Sequence, residues 1–315
     1  MQSARKFIGK LVIIAAGLLL ADQLIGRWLA HAYARITHGE QGHITFVIDS
    51  TTAPLLVLGS SRAVHQYVPD ILTDSLHLAC YNAGKDGQGL FYSQAIVTAV
   101  LKRYQPKALI LDLLPTAFAP EESDFNQLAI LLPYYHTHPG IASILDQRGP
   151  WESVKTLSYL YCYNSLSLQI FKRSIADTED DSTNHGYNPK FMSLPAMPAV
   201  IRKAALADDF SGAGLSATPD TTIVAAFQQL IALASQHGCR LAVIVSPVYF
   251  PLTTGSSTIH TAADICRRQH ITFLDYSRSP DFCRHDSLFY DATHLNDSGA
   301  RKFTRLLSAD LHNSE

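Results

Sequence analysis

The sequence lacks the residue patterns of a metal-binding, nucleotide-binding or nucleic-acid-binding protein. Its 315 residues include 5 cysteines, which form neither a C-x-x-C pair nor a Cys/His cluster with zinc-site spacing. The formal net charge is −2, so the chain has no excess of basic residues for binding nucleic acid. No G-x-G-x-x-G or Walker loop follows a strand-like run. We therefore expect a protein that works without a metal, a cofactor or a nucleic-acid partner.

The chain is long and apolar enough for a large folded domain. Hydrophobic residues make up 47% of its 315 positions, which suffices for one α/β domain with its own core, or for such a domain with extra segments. The odd cysteine count leaves at least one thiol unpaired if the protein is exported. A disulfide bond between Cys266 and Cys283 is not decided by the sequence.

The N-terminal segment has the charge pattern of an exported protein. Arg5, Lys6 and Lys10 precede a charge-free apolar run from Leu11 to Ala21. Positive charge before an apolar run predicts that the N-terminus stays in the cytoplasm and that the rest of the chain is extracytoplasmic, in the periplasm or at the cell surface.

Three interpretations of this segment stay open. The first is an uncleaved membrane anchor over roughly Phe7 to Trp28, with Asp22 and Gln23 near the outer interface. The second is a signal peptide cleaved near Ala32-Tyr33-Ala34, and the third is a buried helix of a soluble domain. We favour the anchor, assigning residues 1–30 to it and residues 31–315 to the exported domain.

Apolar runs that alternate with helical patterns predict a parallel sheet with right-handed crossovers. A short extended segment, Ile44–Ile48, is predicted to precede the first strand of this sheet. The predicted strands are Leu55–Leu58, Leu78–Tyr81, Lys107–Leu113, Leu241–Val245 and Ile271–Asp275. The predicted helices are a short one opened by Pro69 and Asp70, and then Leu90–Tyr104, Pro219–His237, Thr258–Gln269 and Ser298–Leu311.

A long insertion interrupts this alternation at about residues 116–218. Its first part, to about residue 174, has mixed apolar and aromatic helical patterns, including the run from Tyr159 to Tyr163. Its second part is rich in Asp, Ser, Gly and Pro and is predicted as a long irregular loop. We expect the insertion to form a helical cap that lies over or beside one edge of the sheet and shapes a substrate cleft.

Two polar motifs lie at the ends of this α/β pattern. Gly59-Ser60-Ser61-Arg62 follows the first strand, so its serines fall at the carboxyl edge of the sheet, where open α/β folds keep their sites. Asp291-Ala292-Thr293-His294-Leu295-Asn296 comes just before the last helix. A carboxylate three residues before a histidine can hold one imidazole nitrogen and leave the other free as a general base.

These motifs resemble those of the SGNH, or GDSL, hydrolases. Gly59-Ser60-Ser61 resembles the family's G-D-S block, with Ser61 at the position of the nucleophile and Ser60 in place of the Asp. Asn82-Ala83-Gly84-Lys85-Asp86-Gly87 resembles the second block, whose last glycine donates its N–H to the oxyanion hole, and Asp291 to His294 match the D-x-x-H block. The resemblance extends from about Leu55 to Leu311.

The resemblance implies an α/β fold with a three-layer, flavodoxin-like parallel sheet of about five strands, extended here by the insertion and the transmembrane helix. It implies a serine esterase or O-acyltransferase with Ser61, His294 and Asp291 as the catalytic triad. The N–H groups of Ser61 and Gly87 would form the oxyanion hole. The G-S-S-R form and the anchor resemble the branch that acts on cell-envelope polymers, so an acylated carbohydrate or another ester is the expected substrate, and export proteins are expected partners.

One departure from the family favours a different class of function. The family's G-x-N-D block, whose Asn donates to the oxyanion, is absent, and Asp112 to Thr116 stand after the third strand instead. An ionised Asp112 cannot donate a hydrogen bond. The alternative hypothesis is therefore a non-catalytic binding or scaffold protein in the modification or export of an envelope polymer.

The remaining candidate residues have structural as well as functional interpretations. Ser61 alone could cap a helix, and a glycine such as Gly87 could serve only the turn. Arg62 is either a solvated charge or a contact for an anionic substrate, and Asn82 is a second candidate for contacting the substrate. His65, His136 and His138 are predicted to be surface residues.

Overall fold

The structure is a computed structural model that describes residues 2–120, 123–175, 184–207, 210, 213–252 and 255–313. The chain forms two compact units. Met1–Phe46 and Leu128–Asp181 make up the helical unit, and Val47–Gln127 and Ser182–Glu315 make up the sheet unit. The first part of the insertion thus lies in the same unit as the N-terminal segment, and the assignment of residues 1–30 to an anchor and 31–315 to an exported domain stays a prediction.

The sheet unit is an α/β unit built on one parallel sheet. Each predicted strand is present, with bounds shifted by one or two residues, and all neighbours pair in parallel in the order β2-β1-β3-β4-β5. This order reverses direction between β1 and β3, and such a switch point is where open α/β sheets bind ligands. The strands are β1 Leu55–Leu58, β2 Cys80–Asn82, β3 Ala108–Asp112, β4 Arg240–Val245 and β5 Thr272–Asp275.

Helices connect these strands and form the whole of the helical unit. The predicted helices are present within about two residues of their expected ends. Short 3₁₀ helices cover Leu128–Tyr134, Asp146–Arg148, Leu194–Ala196 and Asp286–Leu288. The α-helices are α1 Gln2–Tyr33, α2 Gly39–Asp49, α3 Ser61–Gln66, α4 Pro69–Leu76, α5 Leu90–Arg103, α6 Ser123–Gln127, α7 Pro139–Leu145, α8 Glu152–Lys155, α9 Tyr159–Tyr163, α10 Ser167–Ile175, α11 Ala199–Ala205, α12 Ala213–Ser216, α13 Thr221–Gln236, α14 Ser257–Arg268 and α15 Asp297–Asn313.

Both faces of the sheet are apolar, as expected for parallel strands covered by helices. Leu55 and Val57 of β1 belong to a core cluster that includes Phe303 of α15. The Phe303 ring lies edge-on to Tyr67 at 5.4 Å between centroids, so α15 is joined to the segment that follows α3. Elsewhere in the unit, α13 packs against β4 and α5. This packing holds the turn after β1 and the start of α15 in the same unit.

The helical unit packs around the second half of α1. Leu29 and Tyr33 are buried, and the Tyr33 ring lies 5.9 Å from Tyr134 and 6.0 Å from Tyr163. The aromatic run from Tyr159 to Tyr163 therefore contributes buried residues to a core that it shares with the N-terminal helix. By length and composition α1 is also able to cross a membrane, and none of its most apolar stretch is buried.

Two predictions about local structure are wrong. Ile44–Ile48 is part of α2 and not an extended segment, because Ile44, Val47 and Ile48 share the i, i+3, i+4 spacing that buries one helix face. The stretch predicted as an irregular loop contains α11 and α12, with residues 176–183, 208–209 and 211–212 lying outside the described part. Cys266 and Cys283 carry free thiols.

Candidate active site

The turn after β1 presents Ser61 at the carboxyl edge of the sheet. Gly59 ends this strand, and a Cβ atom there would lie 2.9 Å from the carbonyl oxygen of Asp112 and 3.0 Å from the Cβ of Ala63. Its φ of +142° also disfavours any other residue. Helix α3 begins at Ser61, so the serine N–H is one of the free donors of the first turn.

The D-x-x-H motif forms a tight turn immediately before α15. The backbone N–H of Tyr290 donates to the carbonyl of His294 at 2.9 Å, and Phe289 pairs with Leu295 in an antiparallel bridge. Leu295 is buried, and Asn296 caps the helix by accepting from the N–H of Gly299 at 2.9 Å. The residues that follow the histidine therefore hold the turn on the core and on the helix.

Asp291 orients His294 within this turn. Its Oδ2 lies 2.8 Å from His294 Nδ1, and its Oδ1 accepts from the backbone N–H groups of Thr293 at 2.8 Å and His294 at 2.7 Å. The Thr293 hydroxyl donates to the same oxygen at 3.1 Å. Burial alone would raise the pKa of Asp291, but the hydrogen bond and charge of His294 and the two N–H groups outweigh burial and lower it. Asp291 is thus held as a carboxylate.

The other imidazole nitrogen faces the serine. His294 Nε2 lies 2.7 Å from Ser61 Oγ, although the two residues are 233 positions apart in the chain. Because Nδ1 faces a carboxylate, the proton of a neutral imidazole lies on Nδ1, and Nε2 offers its lone pair to the serine hydroxyl. A hydroxyl, an imidazole and a carboxylate joined in this order can activate the hydroxyl as a nucleophile.

A cavity of about 260 Å³ lies beside this serine. Three of the residues that line it each have a buried polar atom without a hydrogen-bond partner in the part of the chain that the structure describes: Ser60 Oγ, Arg62 Nη1 and Gln88 Oε1. Such atoms suit a polar ligand. The lining residues are Ser60, Ser61, Arg62, Gly87, Gln88, Gly89, Leu114, Gln127, Phe210, Thr293 and His294.

The second motif places Gly87 at this cavity, which Ser61 also lines. Gly87 has a φ of +70°, and a Cβ there would meet no other atom, so the loop conformation, and not a lack of space, calls for glycine. The loop is joined to the turn by the N–H of Lys85, which donates to the carbonyl of Gly59 at 3.0 Å.

A buried histidine also ties this loop to α3. His65 Nε2 lies 3.3 Å from Asp86 Oδ1, and its Nδ1 lies 2.6 Å from the carbonyl of Asn188. Burial alone would raise the pKa of Asp86, but the hydrogen bond and charge of His65, with Lys85 nearby, lower it. The prediction that His65 is a surface residue is therefore wrong: it is buried, and its ring lies edge-on to His294 at 5.6 Å.

Arg62 is buried under the site and is not a solvated charge. Its side chain is completely enclosed, and its Nε donates to Ser246 Oγ at 2.9 Å and lies 3.7 Å from Asp112 Oδ2. The other oxygen of Asp112 accepts from the Tyr67 hydroxyl at 2.6 Å, and burial, with the Asp112 charge, raises the pKa of Tyr67 well above its ordinary value. Phe210 covers the guanidinium at 5.3 Å.

The predicted substrate contact at Asn82 does not fit the structure. The side chain is buried, and its Nδ2 donates to the carbonyls of Ala63 at 2.6 Å and Tyr67 at 3.1 Å. Its Oδ1 accepts from the N–H of Gly84 at 3.0 Å. With these partners Asn82 fastens the end of β2 to α3, and it does not line the cavity.

Sequence reasoning missed several residues of the site. Gln88 directly follows the second motif, and Thr293 lies within the D-x-x-H motif, so the two motifs already pointed to these positions. Ser246 directly follows β4, at the carboxyl edge where sites form. Phe210 lies in a stretch without regular periodicity, and nothing in the sequence pointed to it.

No protein-family model matches the chain, and no curated protein matches it. The function of the protein is therefore inferred from the geometry of the site and from its motifs.

Proposed function

We propose that this protein is a membrane-anchored serine esterase or O-acyltransferase of the SGNH type, acting outside the cytoplasm. The observation that supports it most is the chain from Ser61 Oγ to His294 Nε2 at 2.7 Å and from His294 Nδ1 to Asp291 at 2.8 Å, beside a cavity. The parallel sheet in the order β2-β1-β3-β4-β5, which flavodoxin-like folds share, is consistent with the three-layer fold of that family.

The chemistry follows from the protons that these groups can move. Ser61 Oγ attacks the ester carbonyl carbon while His294 Nε2 takes the hydroxyl proton and Asp291 stabilises the resulting imidazolium. The oxyanion receives hydrogen bonds from the N–H groups of Ser61 and Gly87. The carbon–oxygen bond to the alcohol then breaks, His294 returns its proton to that alcohol, and the acyl group stays on Ser61 as an ester.

The second step releases the acyl group to an acceptor. Water or a sugar hydroxyl gives its proton to His294 Nε2 and attacks the acyl-enzyme, which regenerates the Ser61 hydroxyl. Hydrolysis and transfer use the same residues and differ only in the acceptor. The extracytoplasmic location brings acylated carbohydrates of the envelope within reach, and proteins that export such polymers are the proposed partners.

Retention of α1 is part of the proposal. The second interpretation of the N-terminal segment, cleavage at Ala32-Tyr33-Ala34, would remove the whole of α1, including Leu29 and Tyr33, which are buried in the helical unit. It would also remove Asp22, whose carboxylate accepts from the N–H of Tyr159 at 3.0 Å and from the Ser158 hydroxyl. These contacts support an anchor that stays attached to the unit it helps to form.

The alternative of a non-catalytic scaffold is favoured by one observation. Asp112, which stands where the family has its amide donor, is buried in a pair with Arg62 and offers no N–H from its side chain. Removing one oxyanion donor costs roughly 3–4 kcal/mol of transition-state stabilisation in a serine protease. If the protein is an enzyme, the missing oxyanion donor would make it slow. A non-catalytic scaffold would not need this donor.

Covalent labelling separates the two hypotheses. A fluorophosphonate probe reacts with a serine that a neighbouring histidine activates, so we expect labelling of the wild-type protein in membranes and its loss in Ser61→Ala. Ser60→Ala is the matched control, because Ser60 is the next residue and does not contact His294 in the hydrogen bonds described. Equal labelling of both variants would contradict the enzyme proposal, and no labelling of the wild type would favour the scaffold.

A further inference from the structure

The helical unit has exposed apolar side chains both on α1 and in the helical insertion. Leu24, Ile25 and Trp28 in the second half of α1 are about half exposed or more. In the helical insertion, Trp151 and Leu157 are exposed by 67% and 72%, and Val154 by 54%. We call Trp151, Val154 and Leu157 the apolar surface of α8, since they lie on this helix or beside its ends. Several large apolar side chains exposed near one another mark a site of contact with a membrane or another protein.

The length of α1 sets its depth in a bilayer. From Lys10 to Trp28 the helix rises about 27 Å at about 1.5 Å per residue, close to the ~30 Å hydrocarbon core. Lysine and tryptophan are the residues that favour the two boundaries of this core. With Trp28 at the outer boundary, Asp22 lies about 9 Å inside it at the same rise per residue.

A carboxylate at that depth needs hydrogen-bond donors, and the start of α9 supplies them. Asp22 accepts from the backbone N–H of Tyr159 at 3.0 Å and of Leu160 at 3.3 Å, and from the Ser158 hydroxyl. These are N–H groups of the first turn of a helix, which have no partner within it. A Cβ on Gly26 would lie 2.3 Å from the Tyr159 Cβ, so the two helices touch along their backbones.

The contact between α1 and α9 places the segment that precedes α9 at the same depth as Asp22. The Gln23 side chain donates to the carbonyl of Leu157 at 3.3 Å, so Leu157 lies beside the residue that follows Asp22. Leu157 is two residues past the end of α8, which holds Val154. If Asp22 is below the membrane surface, the apolar surface of α8 is at its level or close to it.

We propose that the apolar surface of α8 is inserted in the outer leaflet of the bilayer beside α1. The inference rests on the anchor in the proposed function and goes beyond it, because a lone anchor would leave Trp151, Val154 and Leu157 in water. A bilayer is the occupant that the continuity with α1 favours. Lys155, which lies between Val154 and Leu157, is half exposed and pairs with Glu152 at 3.3 Å, so its charge is partly compensated beside the proposed membrane surface.

The chain contains two tryptophans, which makes the test direct. The full-length Trp28→Phe variant leaves Trp151 as the only tryptophan, and it is reconstituted in phosphatidylcholine and phosphatidylglycerol vesicles with lipids brominated in the upper acyl chain. We expect Trp151 emission to be quenched at least twofold by these lipids and only weakly by acrylamide. Strong quenching by acrylamide with none by lipid would overturn the inference, as would protection from both, since that pattern indicates a protein occupant.

Two further variants keep the result interpretable. Trp151→Phe leaves Trp28, which the anchor itself places at the bilayer boundary; if Trp28 also escapes the brominated lipids, the anchor is refuted along with the insertion. Quenching of Trp28 but not of Trp151 refutes the insertion alone. Leu157→Asp in the Trp28→Phe background changes an exposed residue, so we expect a folded protein in which lipid quenching of Trp151 falls by half or more. Unchanged quenching would show that Leu157 is not inserted.

Discussion

Asp22 of the helical unit and Asp291 of the sheet unit use the same hydrogen-bonding device. Each carboxylate accepts from two consecutive backbone N–H groups and from the hydroxyl of a serine or threonine. What differs is the remaining partner. Asp291 also holds an imidazole whose other nitrogen faces a serine at a cavity, whereas Asp22 joins two helices. A carboxylate on backbone N–H groups therefore indicates function only when it orients a further reactive group.

The largest effect expected from this comparison is at the nucleophile. Ser61→Ala removes the oxygen of the proposed nucleophile, so under the proposed function we expect turnover of acetylated test esters to fall on the order of 10⁴-fold or more. Ser60→Ala should keep at least about a tenth of the rate, because it leaves the contact between Ser61 and His294 intact. If Ser60→Ala were inactive and Ser61→Ala fully active, the nucleophile would be assigned one residue too late.

Exchanging the two carboxylates for amides tests the comparison itself. Asp291→Asn should lower kcat on the order of 10³- to 10⁴-fold, because an amide does not hold the productive imidazole tautomer. Asp22→Asn should leave the turnover of a soluble ester, measured in detergent, within about twofold. Circular dichroism checks that both variants are folded. Similar losses of turnover in both would mean that the two sites do not have separate roles.

The buried pair beneath the site should matter for stability. Arg62→Met leaves the enclosed carboxylate of Asp112 without its cation, which costs roughly 3–5 kcal/mol of unfolding free energy for a broken buried pair. The double variant Arg62→Met/Asp112→Asn removes both charges and should recover part of this loss. Chemical denaturation in detergent measures the difference. A double variant no more stable than the single one would argue against the pair as the cause.

Acid should remove the contribution of Asp291 to stability. Its pKa is lowered in the folded state: burial opposes the carboxylate, but His294 and the backbone N–H groups more than compensate. Such a group stabilises the fold above its unfolded pKa of about 3.9, and the contribution is lost as pH falls through the folded pKa. The Tm difference between wild type and Asp291→Asn should therefore be full at pH 7 and shrink below about pH 4. A difference constant from pH 7 to pH 3 would exclude this linkage.

The smallest effect should come from the surface of the helical unit. Leu157→Asp changes an exposed side chain outside the sheet unit, so turnover of a soluble ester should stay within about twofold of the wild-type rate. If the same variant loses activity on an ester embedded in vesicles, the roles of the helical unit and the sheet unit are distinguished more clearly. A large loss on the soluble ester would show that the two units are not independent in function.

Local patterns in the sequence were enough to predict the strands of the sheet and the motifs that follow them. Short apolar runs bounded by Gly, Pro and polar residues predicted each strand within one or two residues, since a strand of a parallel sheet is buried on both faces. The prediction at Ile44–Ile48 failed because β-branched residues favour a strand locally, while burial of Ile44, Val47 and Ile48 on one face selected a helix. Packing overrode propensity there.

The sequence by itself determined which residues are chemically able to act. The spacing from Asp291 to His294 and the position of Ser61 after a strand are local properties of the chain. Only the tertiary structure decided that these groups meet at 2.7 Å, that Arg62 and His65 are buried, and that part of the insertion packs on α1 instead of with the sheet. Each of these outcomes depends on contacts between segments far apart in the chain, which local propensity and periodicity do not encode.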